Sequence, residues 1–323
     1  MYNYFKDTIA SISTALANGA ISIVRLSGDE AINIANSIFK NKDLTKAKSH
    51  TITYGYIYDG EERIDEVLVS VFRAPKTFTR EDVVEINCHG GIYVTNKILE
   101  LVLTKGARLA EPGEFTKRAY LNGRIDLTQA ESVMDIIEAK TKTSLKMANY
   151  GLSGATKKLI TNFKEKLLKC ILEIEVNIDY PEYEDEIQVT TDVLKPSVDE
   201  LILDIKKIID KAEQASIIKN GIKTAIIGKP NVGKSSLLNA LLKEDKAIVT
   251  DIAGTTRDIV EGNINIGGVL LHLIDTAGIR DASDTVEQIG VKKSKQILSE
   301  AELVILVFDY SEKLSEIDIE LLK

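Results

Sequence analysis

Hydrophobic and polar positions change period twice along the chain. The first 120 residues mix strand-like alternation with short helical runs. Ala20–Gly28, Thr51–Tyr58, Asp65–Phe72 and Asp82–His89 read as strands, with Asp59-Gly60 as a hairpin turn between the second and third. Helical spacing covers Asp29–Phe39 and Ile92–Lys105, and a short strand is expected near Ala107–Leu109. This order predicts a mixed sheet with helices on one side. The pattern then turns helical after Glu111-Pro112-Gly113-Glu114-Phe115. Leu127, Ala130, Val133, Met134 and Ile137 recur at helical steps, with Thr128 and Glu131 placed for a capping box. Further helices are expected over Lys142–Tyr150, Ser153–Asp179 and Asp192–Ile218. Leu159, Phe163, Leu167, Cys170, Ile174 and Ile178 form the apolar stripe of the longest. Antiparallel helices of this length predict a bundle. From Lys223 on, short apolar strands alternate with polar loops and a helix, the signature of a parallel α/β sheet.

That last region carries the strongest chemical signal. Gly228-Lys229-Pro230-Asn231-Val232-Gly233-Lys234-Ser235 fits G-x-x-x-x-G-K-[ST]. It lies between a predicted strand, Lys223–Ile227, and a helix opening at Ser236, where backbone N–H groups and a helix N-terminus can cradle phosphates. Lys234 would reach the β/γ-phosphates, and the Ser235 hydroxyl would take Mg²⁺. The polar stretch Lys246–Asp258, with Thr250, Asp251, Ile252, Ala253, Gly254, Thr255 and Thr256, reads as a switch loop, in which a threonine can complete the Mg²⁺ shell. The strand Val269–Ile274 ends in Asp275-Thr276-Ala277-Gly278. There Asp275 would hold the metal through water and the Gly278 N–H would touch the γ-phosphate.

Hydrolysis needs a group that orients the attacking water. Ras-like enzymes use a glutamine directly after D-x-x-G. Here that residue is Ile279, which can do nothing of the kind. Glu287 is the best placed carboxylate, with Asp281 and Asp284 as competitors. Arg257, Arg280 or a monovalent cation held by Asn231 could supply positive charge. No N-K-x-D follows the strand Leu303–Asp309, so guanine specificity stays open and the chain reads as C-terminally truncated.

Three polar residues stand out in the first region. Arg25 and Glu85 sit inside strand patterns, where an unpaired charge is costly to bury, so each faces solvent or they pair. His89, beside Gly90-Gly91, is a ligand contact or a satisfied turn histidine. The 323 residues carry a net charge of −8, which argues against a broad nucleic-acid-coating surface. Lys157-Lys158 and Lys206-Lys207 could contact RNA locally or simply line solvated helix faces. There is no membrane-spanning hydrophobic run and no signal-peptide core. Two distant cysteines, Cys88 and Cys170, fit a reducing cytoplasm.

Taken together these motifs resemble the tRNA-modification GTPase MnmE (TrmE) family. The likeness rests on G-x-P-N-x-G-K-S, Gly254-Thr255-Thr256-Arg257-Asp258, Asp275–Gly278 and the E-x-I-G at Glu287. It extends to Asp7-Thr8-Ile9-Ala10, Pro112–Phe115 and Leu121–Leu127. The resemblance implies a multidomain α/β protein. An N-terminal α+β domain of folate-binding type (1–120) would be followed by a helical bundle domain (121–221) and a Ras-like P-loop α/β G domain (222–323). It implies GTP hydrolysis, with GTP/GDP held by Asn231–Ser236, Thr250–Thr256 and Asp275–Gly278. Mg²⁺ would sit on Ser235 and Thr256. K⁺ would sit on Asn231, Thr250, Ile252 and Thr255, and Glu287 would be catalytic. It further implies a homodimer that works with the FAD-dependent partner MnmG to modify C5 of wobble uridine in tRNA. The one-carbon donor would be 5-formyl- or methylene-tetrahydrofolate on Arg25, Glu85 and Arg124, the last usually lysine in the family. Two features depart from the family pattern: its second helical segment with the C-x-G-K cysteine is missing, and Ser13–Gly19 replaces a proline-containing run. The competing reading is an Era/Der-like regulatory GTPase acting in ribosome assembly, which would have no use for the Arg25, Glu85 and Arg124 set.

Overall fold

The computed structural model describes residues 7–179, 194–229, 232–244, 262–274, 300–311, 313–314, 319 and 322. They divide between Glu131 and Ser132 into two compact units.

The first unit is a seven-stranded sheet in the order β3-β4-β5-β6-β2-β1-β7. Its strands are β1 (Ile9–Ile12), β2 (Ile21–Ser27), β3 (Phe39–Lys40), β4 (Thr51–Asp59), β5 (Glu62–Phe72), β6 (Val83–His89) and β7 (Arg108–Leu109). All neighbours run antiparallel except β1 and β7, so the sheet is mixed, as expected. Side chains alternate between faces along each strand. Val24 and Leu26 of β2, Val69 and Val71 of β5, and Val84 and Ile86 of β6 point to one face. There they form a core with α1 (Ala31–Ile38) and α2 (Ile92–Thr104). The opposite face carries Ile52 and Tyr54 of β4, Leu68 of β5 and Ile21 of β2, all exposed. Helical spacing overran the end of α1: Phe39 pairs with Ile57 of β4 as part of β3.

A third helix, α3 (Glu114–Leu121), was hidden from the pattern because its buried residues are Glu114, Arg118 and Ala119. It is followed by α4 (Leu127–Glu138). The expected capping box of Thr128 and Glu131 is displaced by two residues. Asp126 Oδ1 accepts from the Gln129 backbone N–H at 3.0 Å, and the Asp126 N–H donates to Gln129 Oε1 at 3.0 Å. The Thr128 hydroxyl donates to Asp126 Oδ1 at 2.7 Å, so Thr128 supports the cap instead of forming it.

The second unit contains α5 (Lys142–Leu152), α6 (Ala155–Asp179) and α7 (Lys195–Asn220), which pack on one another. Thr141 and Ser144 form a reciprocal capping box at the start of α5. The predicted stripe of α6 is not sealed. Although α5 and α7 pack on it, no α6 residue is buried, and Leu159, Leu167, Ile174 and Ile178 remain exposed. Ile160, Leu168, Ile171 and Leu172 are exposed as well, so the helix is apolar on more than one face. Gly221 ends α7 at φ +73°; a Cβ there would stand 2.6 Å from the Leu270 carbonyl oxygen. Beyond it lies a four-stranded sheet in the order β11-β8-β10-β9. Its strands are β8 (Ile222–Ile227), β9 (Gly262–Ile266), β10 (Val269–Leu273) and β11 (Leu303–Leu306), and α8 (Lys234–Glu244) follows β8. No helix among the described residues is long and apolar enough to cross a membrane.

Candidate functional site

The phosphate-loop motif leaves the C-terminal end of β8, an interior strand that runs parallel to both β10 and β11. The chain first turns to the β10 side and later returns to the β11 side. The end of β8 is therefore a topological switch point, where open α/β sheets leave a ligand crevice. Gly228 is needed for a steric reason: a Cβ there would lie 2.3 Å from the Val307 carbonyl oxygen, backbone against backbone. Gly233 holds φ +97°, which turns the loop into α8. The first intrahelical bond, Leu237 N–H to Gly233 O, is 2.9 Å, so the N–H groups just before it belong to the unpaired first turn of α8. That cradle suits an anion.

Lys234 curls back over the loop. Its Nζ donates to the Gly228 carbonyl at 2.7 Å and to the Lys229 carbonyl. Burial lowers its pKa from the ordinary lysine value. Val232, Gly233, Lys234 and Ser236 are thus brought together at the loop, with the Ser235 backbone in the first turn of α8. Asn231, Thr250, Asp251, Ile252, Ala253, Gly254, Thr255, Thr256, Asp275, Thr276, Ala277, Gly278 and Glu287 lie outside the described residues, as do Arg257, Arg280, Asp281 and Asp284. The strand leading to Asp275 is β10. The Ile274 N–H that follows it still donates to Thr224 O of β8, at 3.0 Å.

In the first unit, Arg25 and Glu85 are direct cross-strand neighbours on β2 and β6. Arg25 Nε and Nη2 both donate to Glu85 Oε1 at 2.8 Å. Of the two sequence alternatives, pairing holds. Alternation puts the pair on the open face of the sheet, in one row with Ser11 and Ser70. Their side chains are 34% and 22% exposed, so a ligand can reach them without unfolding the sheet. The Arg25 guanidinium lies 5.7 Å from the Phe115 ring centroid, and that of Arg124 lies 5.0 Å from Phe78. That Phe115 and Phe78 lie beside the two arginines cannot be read from the sequence; it depends on how the chain folds back.

A buried ionic cluster escaped it too. Arg118, fully buried, donates to Asp7 Oδ1 at 2.9 Å, to the Asp7 carbonyl at 2.9 Å, to Glu114 Oε1 at 3.0 Å and to Glu81 at 3.4 Å. Arg108 donates to Glu114 Oε1 at 2.6 Å and to Asp7 Oδ2 at 2.7 Å. Ser27 donates to Glu81 Oε2 at 2.7 Å. Burial by itself would raise the Glu114 pKa. The Arg108 contact, the Glu111 backbone N–H and Arg118 outweigh it and hold the carboxyl at about 2. The one advance signal was the i, i+4 spacing of Glu114 and Arg118.

His89 ends β6 with its backbone N–H and its Nδ1 both on the Asp65 carboxylate, at 2.8 and 2.7 Å, which is the satisfied-histidine alternative. The hydrogen bond to Asp65 raises its pKa above the ordinary 6.5. This contact contributes stability in full below pH 6.5 and loses it as pH rises through the raised value. NMR titration should find His89 above 6.5, and Asp65→Asn should bring it back down; an unchanged pKa in that variant would remove Asp65 as the cause.

Residues 8–124 match the family model described as "GTP-binding protein TrmE N-terminus", and residues 127–320 match the "MnmE helical domain". The chain is 59% identical over 316 residues to the tRNA modification GTPase MnmE of Streptococcus thermophilus, covering 98% of this chain and 69% of that protein. It is 58% identical over 317 residues to the same-named protein of Lactococcus lactis subsp. lactis, and 57% over 319 to that of Bacillus cytotoxicus. In both cases 98% of this chain and 70% of the relative are covered. With a phosphate loop at its switch point and a paired Arg25 and Glu85 on an open sheet face, the chain belongs to the MnmE family of tRNA modification GTPases.

Proposed function

We propose that this protein hydrolyses GTP and, with the FAD-dependent partner MnmG, modifies C5 of wobble uridine in tRNA in the cytoplasm. The observation that carries the hydrolase reading is the cradle at the end of β8: Gly228 against Val307, Gly233 opening α8, and Lys234 held over the loop. The donors there fit a phosphate chain. Lys234 would exchange the Gly228 and Lys229 carbonyls for β/γ-phosphate oxygens. Ser235 and Thr256 would hold Mg²⁺, while Asn231, Thr250, Ile252 and Thr255 would hold K⁺. When bound, these ions supply positive charge where negative charge grows on the phosphates. Glu287 would orient the attacking water, since Ile279 offers no hydrogen bond.

In the first unit, Arg25, Glu85 and Arg124 would hold a tetrahydrofolate, which supplies the one-carbon unit when bound. The Glu85 carboxylate can accept from the donor-rich edge of a pteridine, and the two Arg25 hydrogen bonds to Oε1 hold that carboxylate in place. The exposed Ile21, Ile52, Tyr54 and Leu68 on the same face are apolar area that a second copy would cover in a homodimer. The working division is residues 1–120 for folate binding and dimerisation, 121–221 for the helical domain and 222–323 for the G domain.

The test is GTP hydrolysis in K⁺ against Na⁺, with Glu287→Ala alongside. K⁺ should stimulate hydrolysis, and the variant should lose about a hundredfold in rate while still binding nucleotide. Equal rates in the two salts would remove the cation assignment, and an active variant would move the catalytic role to Asp281 or Asp284.

A further inference from the structure

The two arginines of the proposed folate site come from distant places, β2 and the loop after α3. Each lies over an aromatic ring, and α3 connects the two arrangements. Its first turn carries Phe115, whose ring faces Arg25. Its C-cap residue, Asn122, precedes Gly123-Arg124, and Arg124 faces Phe78. Asn122 ties that end down: its side-chain N–H donates to the Thr79 carbonyl at 2.7 Å, and its own carbonyl accepts from Arg80 at 2.9 Å. Between the two ends sits Arg118, buried, bonded to Glu114 at the first turn and to Glu81 beside the Phe78–Arg80 loop. Glu81 also receives the Asn122 side chain, at 3.4 Å.

We infer that Arg118 is a positioning residue for ligand binding: through Glu114 and Glu81 it fixes both ends of α3, and so sets the separation of the Arg25/Phe115 arm from the Arg124/Phe78 arm. The inference rests on the folate reading above. Arg118 itself touches no ligand. Its fork of donors reaches several acceptors at once, which the single ammonium of a lysine cannot reproduce.

The experiment measures 5-formyltetrahydrofolate binding to the full chain by calorimetry. The variants are Arg118→Lys, Asn122→Ala, Arg25→Ala and Arg124→Ala, with circular dichroism to confirm folding. Arg118→Lys and Asn122→Ala should each weaken binding about tenfold in folded protein. Asn122→Ala should cost nothing further on the Arg124→Ala background and keep its full effect on the Arg25→Ala background. A loss of folded protein alone would lower binding equally on both. Asn122→Ala keeps the test open if Arg118→Lys does not fold. If Arg25→Ala weakens binding while Arg118→Lys and Asn122→Ala bind like the parent, the positioning role is overturned and the folate reading stands. If the parent chain binds no folate, both fall.

Discussion

Replacing Arg118 by alanine should destabilise the first unit by about 3–5 kcal/mol, the range for removing one partner from a buried ion pair. Arg118 has no exposed surface, and its partners Glu81 and Glu114 are nearly as buried. Taking the guanidinium away leaves two carboxylates in the interior with their Arg118 hydrogen bonds unmade. Arg108 still reaches Glu114, but Glu81 is left with hydroxyl and amide partners such as Ser27 and Asn122. The control is Arg63→Ala. It breaks the Arg63–Glu66 pair at 3.1 Å, both of whose members are about half exposed, and should cost under about 1 kcal/mol. Urea unfolding followed by circular dichroism reads both. Similar midpoints for the two variants would show that the buried cluster contributes no more than a surface pair. The pH dependence follows from Glu114. Its folded pKa, about 2, is depressed from 4.5, so its contribution is present above pH 4.5 and disappears as pH falls from 4.5 through 2. That depression corresponds to roughly 3 kcal/mol, which an acid titration of stability would show.

Lys234→Ala should lower the GTP hydrolysis rate by about 10²–10³-fold, the usual loss when one preorganised donor to developing charge is removed. In this structure the ammonium is already fixed above the loop by the Gly228 and Lys229 carbonyls, so little reorganisation separates it from the phosphates. The same variant frees those carbonyls to water and should change overall stability by less than about 1.5 kcal/mol. Single-turnover hydrolysis and thermal melts distinguish the two effects. A variant that hydrolyses GTP at the parent rate would remove Lys234 from the phosphate site.

The regular parts of this fold could be read from residue patterns, because apolar alternation reports which face of a strand is buried. β2, β5 and β6 fall where Val24, Leu26, Val69, Val71, Val84 and Ile86 recur at every second position, and β4 where Thr53, Gly55 and Ile57 do. The phosphate loop was legible for a different reason: its glycines and its lysine act within a dozen residues of one another. What could not be read has physical causes. β1 and β3 are four and two residues long, too short for a period to show, whereas β7, also two residues, falls where a short strand is expected near Ala107–Leu109. α3 buries Glu114 and Arg118, so a search for apolar faces passes over it. The capping box at α4 was placed on Thr128 because Thr128 and Glu131 fit the spacing, yet Asp126 and Gln129 share the same spacing and make the bonds. For α6 the stripe was legible but its covering was not, since covering depends on which elements come to lie against it. Whether Arg25 and Glu85 meet depends on a strand register that joins residues sixty positions apart.

That register has a consequence for how the sheet finds its arrangement. A strand shifted by one residue turns every side chain to the opposite face. For most of β2 and β6 the error would exchange Val24 and Ile86 with Ile23 and Asn87, a modest change on one strand and a moderate one on the other. For Arg25 or Glu85 it would drive a lone charge into the apolar layer beneath α1 and α2, away from its partner, at a cost well above that of misplacing a valine. The pair therefore penalises misregistered sheets during folding and makes the chain's correct alignment the cheapest one available.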